Sequence, residues 1–92
     1  MKLSIIVPAY NEDRTIGEML SKLINLQLAP IEKEIIVVDD GSTDSTSQFI
    51  VEKFNDRVKY IWKENGGQGS ARSVGFKMAS GEYIQNLDSD DL

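Results

Sequence analysis

The 92-residue chain has a formal net charge of −5, 40% hydrophobic and 27% charged residues, and neither cysteine nor histidine. That length holds one domain with a small core, and lacking both residue types the chain has no disulfides, thiolate metal sites or histidine general base. The acidic balance disfavours nucleic acid or an anionic membrane as the main partner, so an anionic ligand would need a cation to bind here.

The first apolar run, "LSIIVP", is short, nearly continuous and closed by proline, which suits a strand buried on both faces. Beyond "AYNE", the apolar residues Ile16, Met19, Leu20, Leu23 and Ile24 recur at helical spacing, and Thr15 with Glu18 has the pattern of a capping box. "EIIVVDDGSTD" repeats the scheme: a β-branched run, two acids, a glycine, then residues that cap helices well. Thr46, Phe49, Ile50, Lys53 and Phe54 continue as a second helix until "NDR" breaks the pattern. "VKYIW" alternates as a third strand would. After the glycine-rich "ENGGQGS", Ala71, Val74, Gly75, Met78 and Ala79 share one helix face, stopped by Gly81. "EYIQNLD" reads as a fourth strand.

The order βαβαβαβ predicts a Rossmann-like α/β domain, a parallel sheet with right-handed crossovers and flanking helices, over residues 1–92. Ligands of such sheets bind beyond the carboxyl ends of the strands. The segments expected at that edge are "PAYNE", "DDGSTD", "ENGGQG" and "DSDD", which hold most of the unusual polar residues.

Each segment has a plain structural reading beside a functional one. Asp88 and Asp90, at i and i+2, put two carboxylates on one side of an extended segment. Such a pair forms either a solvated acidic loop or hard ligands for Mg²⁺ or Mn²⁺ on a substrate phosphate. Gly41 and Ser42 suit a turn and a cap, which leaves the consecutive Asp39 and Asp40 unexplained unless one accepts a hydrogen bond from a base. Tyr10 could stack on a planar base and Glu12 could accept from a ribose hydroxyl, or Tyr10 could be a half-buried aromatic. "GQGSAR" is not a dinucleotide fingerprint: Arg72 stands where the third glycine belongs, and the loop follows the third strand. It leads into a helix N-terminus, where Arg72, placed in the first turn, could reach a phosphate.

"SIIVPAYNE", "IIVVDDGSTDST", "ENGGQGSARSVGF" and "GEYIQNLDSDD", in this order and at these spacings, resemble the nucleotide-binding half of a family 2 glycosyltransferase of the GT-A fold. The resemblance covers essentially the whole chain. It implies a base pocket lined by Pro8, Ala9 and Tyr10, with Glu12 near the ribose, Asp40 on the base edge and Asp39 supporting the loop. It implies Gly67, Gly69 and Arg72 along the nucleotide and its phosphates, and a D-x-D motif of Asp88, Ser89 and Asp90. Of that motif, Asp90 would ligate Mn²⁺ or Mg²⁺ on the diphosphate and Asp88, counted with the metal site, would lie near the ribose. The activity implied is inverting transfer of a sugar from a nucleotide diphosphate sugar, UDP-linked by the family's common usage, to a hydroxyl of a carbohydrate or lipid-linked acceptor.

Family members continue past the D-x-D into an acceptor-binding half that carries the catalytic base. The chain is therefore expected to be truncated, to keep the donor and metal site only, and to self-associate through exposed core faces. A cytoplasmic location is expected, with the full-length protein at the inner face of a membrane left open. Competing readings are a nucleotidyltransferase on a similar sheet, or a folded fragment without ligand affinity. A phosphatase of the haloacid-dehalogenase type would place its D-x-D after the first strand.

Overall fold

The two longest β-branched runs become neighbouring central strands. In the computed structural model, which describes residues 1–9, 16–26, 30–41, 46–54 and 56–87, they form β1 (Lys2–Ala9) and β2 (Glu32–Asp40). The other elements are α1 (Ile16–Asn25), α2 (Thr46–Phe54), β3 (Lys59–Lys63), α3 (Gln68–Met78) and β4 (Tyr83–Asn86). The strands form one parallel sheet in the order β3-β2-β1-β4. The predicted α/β architecture is therefore present, with β1 and β2 buried on both faces as their unbroken apolar character requires.

Side-chain alternation sorts the core into two layers. Ile5, Val7, Ile35 and Val37 point to one face, where Ile16, Met19, Leu20 and Leu23 of α1 and Ile50 and Phe54 of α2 cover them. The α1 residues are those spaced for one helix face, and full burial of each such side chain contributes about 1.5–3 kcal/mol. Gly17 lets the two helices approach, since a Cβ there would lie 2.6 Å from Cζ of Phe49. Ile6, Ile36 and Val38 point to the opposite face, under Ala71, Val74 and Met78 of α3.

This division sets a topological switch point in the sheet. From β1 the sheet grows through β2 to β3 with α1 and α2 on one face. The chain then returns through α3, across the other face, to lay β4 on the far side of β1. The growth of the sheet reverses between β1 and β4, and in open α/β sheets the carboxyl edge at such a reversal is where ligands bind. Among the described residues no helix is long and apolar enough to cross a membrane.

Candidate functional site

Two of the four predicted loops meet through one carboxylate. Asp40 ends β2 on the α3 face, paired in register with Lys63, the last residue of β3. The Lys63 ammonium donates to Asp40 Oδ1 at 2.8 Å and to the Glu64 carbonyl at 2.6 Å. The backbone N–H of Gly66 donates to the same Oδ1, and that of Gly67 to Oδ2, each at 2.9 Å. Asn65 Nδ2 adds a bond to the Asp40 carbonyl at 3.1 Å. Asp40 is 5% exposed. Burial alone would push its carboxyl pKa up; the Lys63 ammonium and the two glycine N–H donors outweigh that and hold it below the usual carboxylate range.

The same contacts shape the glycine-rich loop. Gly41, at φ 79°, packs so close to that loop that a Cβ would lie 2.7 Å from the Asn65 nitrogen. Gly67 also has a left-handed φ, 89°, and precedes α3 as its N-cap. It has no capping side chain of its own, and Asp40 supplies an anion from the neighbouring strand at the positive end of the helix. A Cβ on Gly67 or Gly69 would meet nothing within 4 Å, so the backbone there is open to a ligand.

Asp39 faces the other way, fully buried, and its Oδ2 accepts from the Tyr60 hydroxyl at 2.6 Å. Pro8 is buried and Ala9 packs in the layer beneath α1 and α2. Arg72 is half-buried on α3; because that helix begins at Gln68, Arg72 opens its second turn, not its first. Tyr10, Glu12, Asp88, Ser89 and Asp90 lie outside the described residues. Leu87, the last described residue, has its N–H bonded to the Ile6 carbonyl of β1 at 2.9 Å. Among the described residues no group of three or more acidic, histidine or cysteine side chains is placed to hold a metal; the hard oxygens of the D-x-D are of the kind that suits Mg²⁺ or Mn²⁺.

Sequence reasoning missed Lys63, Asn65 and Gly66. Lys63 could have been found from the strand pairing alone: a cation closing one parallel strand stands opposite an acid closing its neighbour.

At the amino-terminal edge of the sheet a second buried carboxylate anchors the other end of α3. Glu34 Oε2 accepts from the Ser4 hydroxyl at 2.7 Å and from the Ser80 N–H at 3.0 Å, and Oε1 is paired with Lys59. The Ser80 hydroxyl also donates to Glu34, and Gly81 N–H donates to Ser4 Oγ at 2.8 Å. An open cavity of about 540 Å³ lies beside this cluster, lined by Lys2, Lys33, Asp56, Arg57 and Lys59 among others. Its cations are engaged with Glu34, the Leu26 carbonyl and Asp56, and it lies at the wrong end of the sheet for the convergent loops.

Comparison with known proteins agrees with this fold. The family model described as "Glycosyl transferase family 2" matches residues 4–92. The poly(ribitol-phosphate) beta-N-acetylglucosaminyltransferase TarS of Staphylococcus aureus is 44% identical over 99% of this chain, which covers 16% of that protein. A poly(ribitol-phosphate) beta-glucosyltransferase of Bacillus spizizenii is 41% identical over 99% of the chain and 15% of its own length. The crystal structure of S. aureus TarS 1-349 in complex with UDP-GlcNAc superposes on 98% of the chain with a TM-score of 0.78 at 41% identity, covering 27% of that structure. Glucosyl-3-phosphoglycerate synthase from Mycobacterium tuberculosis, in complex with Mn²⁺, UDP and glucosyl-3-phosphoglycerate, matches 96% of the chain and 33% of its own with a TM-score of 0.79 at 25% identity. This chain thus spans about a sixth of the curated relatives TarS and the B. spizizenii enzyme, and it belongs to glycosyl transferase family 2.

Proposed function

We propose that the chain is the donor-binding part of an inverting glycosyltransferase that takes a sugar from a UDP-linked donor to a hydroxyl acceptor. The observation that carries this is the joining of the loops after β2 and β3 at Asp40, beside open backbone at Gly67 and Gly69, at the carboxyl edge of the sheet. The UDP-GlcNAc complex of the TarS relative supports the choice of donor.

In this reading Asp40 accepts an N–H from the base, held by Lys63 and the loop amides, while Asp39 and Tyr60 stiffen the strand end beneath it. Gly67 and Gly69 let the nucleotide approach the main chain, and Arg72 reaches toward its phosphates. Asp88 and Asp90 would hold Mn²⁺ or Mg²⁺, which when bound offsets the charge of the departing nucleoside diphosphate. No residue of this chain is assigned as the base that deprotonates the acceptor, so the chain alone is expected to bind without turnover.

Calorimetric titration of UDP with and without Mn²⁺ tests the reading. Metal should strengthen binding at least about tenfold, roughly 1.4 kcal/mol, and Asp88→Asn/Asp90→Asn should abolish that increment. A folded chain that ignores UDP in both conditions would overturn it.

Self-association belongs to the same proposal. Tyr83 on the outer strand β4, Trp62 on β3 and Phe76 on α3 are 56%, 51% and 64% exposed, large apolar groups that a second surface would cover. Sedimentation velocity should show a mass that rises with concentration; a monomer throughout would remove this part.

A further inference from the structure

We infer that Lys63 is a positioning residue for base recognition, setting the orientation of the Asp40 carboxylate from its place at the end of β3. The inference rests on the donor-binding reading above and deepens it. The Lys63 and Asp40 side chains are only 17% and 7% exposed, so the pair is shielded from the screening that makes surface ion pairs weak.

The geometry is that of a locked acceptor. Asp40 Oδ1 receives two donors, Lys63 Nζ and the Gly66 N–H, while Oδ2 receives the Gly67 N–H. A carboxylate offers about four acceptor positions, so three donors leave it little freedom to rotate and keep it in its acceptor-only form. Lys63 is itself held by its second bond to the Glu64 carbonyl, so the ammonium cannot swing away without losing both partners. Of the other charged residues nearby in sequence, Glu64 follows β3, Asp39 faces the opposite side of the sheet and Arg72 stands a turn further along α3.

An acceptor fixed in this way discriminates by hydrogen-bond polarity. Uracil presents a ring N–H donor where cytosine presents a bare ring nitrogen, and two facing acceptors repel. Without the ammonium, the carboxylate keeps its two backbone donors but loses the side-chain partner that pins Oδ1. It can then rotate or take up water, and a cytosine base is tolerated.

The test compares UDP and CDP binding by calorimetry, with Mn²⁺ present, in the unaltered chain, Lys63→Met and Lys63→Arg. The unaltered chain should prefer UDP at least tenfold. Lys63→Met should weaken UDP about tenfold and CDP far less, lowering the UDP:CDP ratio at least threefold, and Lys63→Arg should recover most of the ratio. A purely structural role would weaken both nucleotides alike and leave the ratio unchanged, which would overturn the inference. An unchanged UDP affinity in Lys63→Met would overturn it as well. Failure of the unaltered chain to bind either nucleotide would instead overturn the donor-binding reading, and the inference with it.

Discussion

Glu34→Ala should be among the most destabilising single substitutions in this chain, lowering stability by about 2–3 kcal/mol in urea unfolding at neutral pH. The carboxylate is buried at the start of β2 and gathers donors from Ser4 on β1, Lys59 on β3 and Ser80 beyond α3. Removing it leaves the fully buried Ser4 hydroxyl without that acceptor and cuts the tie between the sheet and the end of the helix. The expected loss stays modest because Lys59 is half exposed and water can serve it.

The same group gives the fold an acid-labile component. Burial would push the Glu34 carboxyl up, but the hydrogen bonds from Lys59, Ser4 and Ser80 together prevail and hold it at about 2, against an ordinary value of 4.5. A depressed folded-state value means that the contribution is complete above pH 4.5 and lost as the pH falls from there toward 2. Its size is about 2–3 kcal/mol once solvent around Lys59 is allowed for. Glu34→Gln, which cannot ionise, should therefore show a smaller loss of urea stability between pH 5 and pH 2.5, taken as about the working window, than the unaltered chain. Parallel pH profiles for the two proteins would refute this assignment.

Gly75→Val should be at least as damaging, for a steric reason. A Cβ on Gly75 would lie 2.4 Å from Cγ2 of Ile6 and 3.2 Å from its Cγ1. Ile6 is fully buried in the centre of β1 and has no space into which to retreat, so α3 must lift off the sheet. Overpacking of this kind costs about 1–3 kcal/mol, and the branched valine adds to it. Gly69→Ala in the same helix supplies the contrast. Its Cβ would meet nothing within 4 Å, and alanine should gain up to about 1 kcal/mol of helix propensity. Thermal unfolding of the pair should move in opposite directions; stabilisation of both would show that helix propensity, not contact with Ile6, governs both sites.

The elements legible from the sequence were those with one dominant period. "LSIIVP" and "EIIVV" suited buried strands, and Ile16, Met19, Leu20 and Leu23 fitted one helix face. Boundaries moved by a residue or more where backbone pairing, not hydrophobicity, ends an element: β3 runs to Lys63 because Asp40 continues the ladder opposite it. The helical pattern of Ala71 to Ala79 marked the packed face of α3 but not its first turn, which begins at Gln68. Glu34 and Ser80 were invisible for a different reason. A glutamate opening a strand looks solvated, and its partner lies 46 residues away in sequence. The site was half legible: Asp39 and Asp40 stood out because two acids after a buried strand need an explanation. The attachment of Asp40 to the glycine-rich loop follows only from the strand order.

Glu34 and Asp40 sit on the same face of one strand and take hold of opposite ends of one helix. Six residues of strand rise about 20 Å, and the eleven residues of α3 with the short extended step to Ser80 cover about the same length. The strand therefore acts as a gauge for the helix. One residue deleted from α3 would shorten it by about 1.5 Å and turn everything beyond by about 100°, so Gly67 and Ser80 could no longer both meet their carboxylates. Length variation among related chains should accordingly gather before Gly66 or after Gly81, while the stretch between them tolerates substitution far better than insertion.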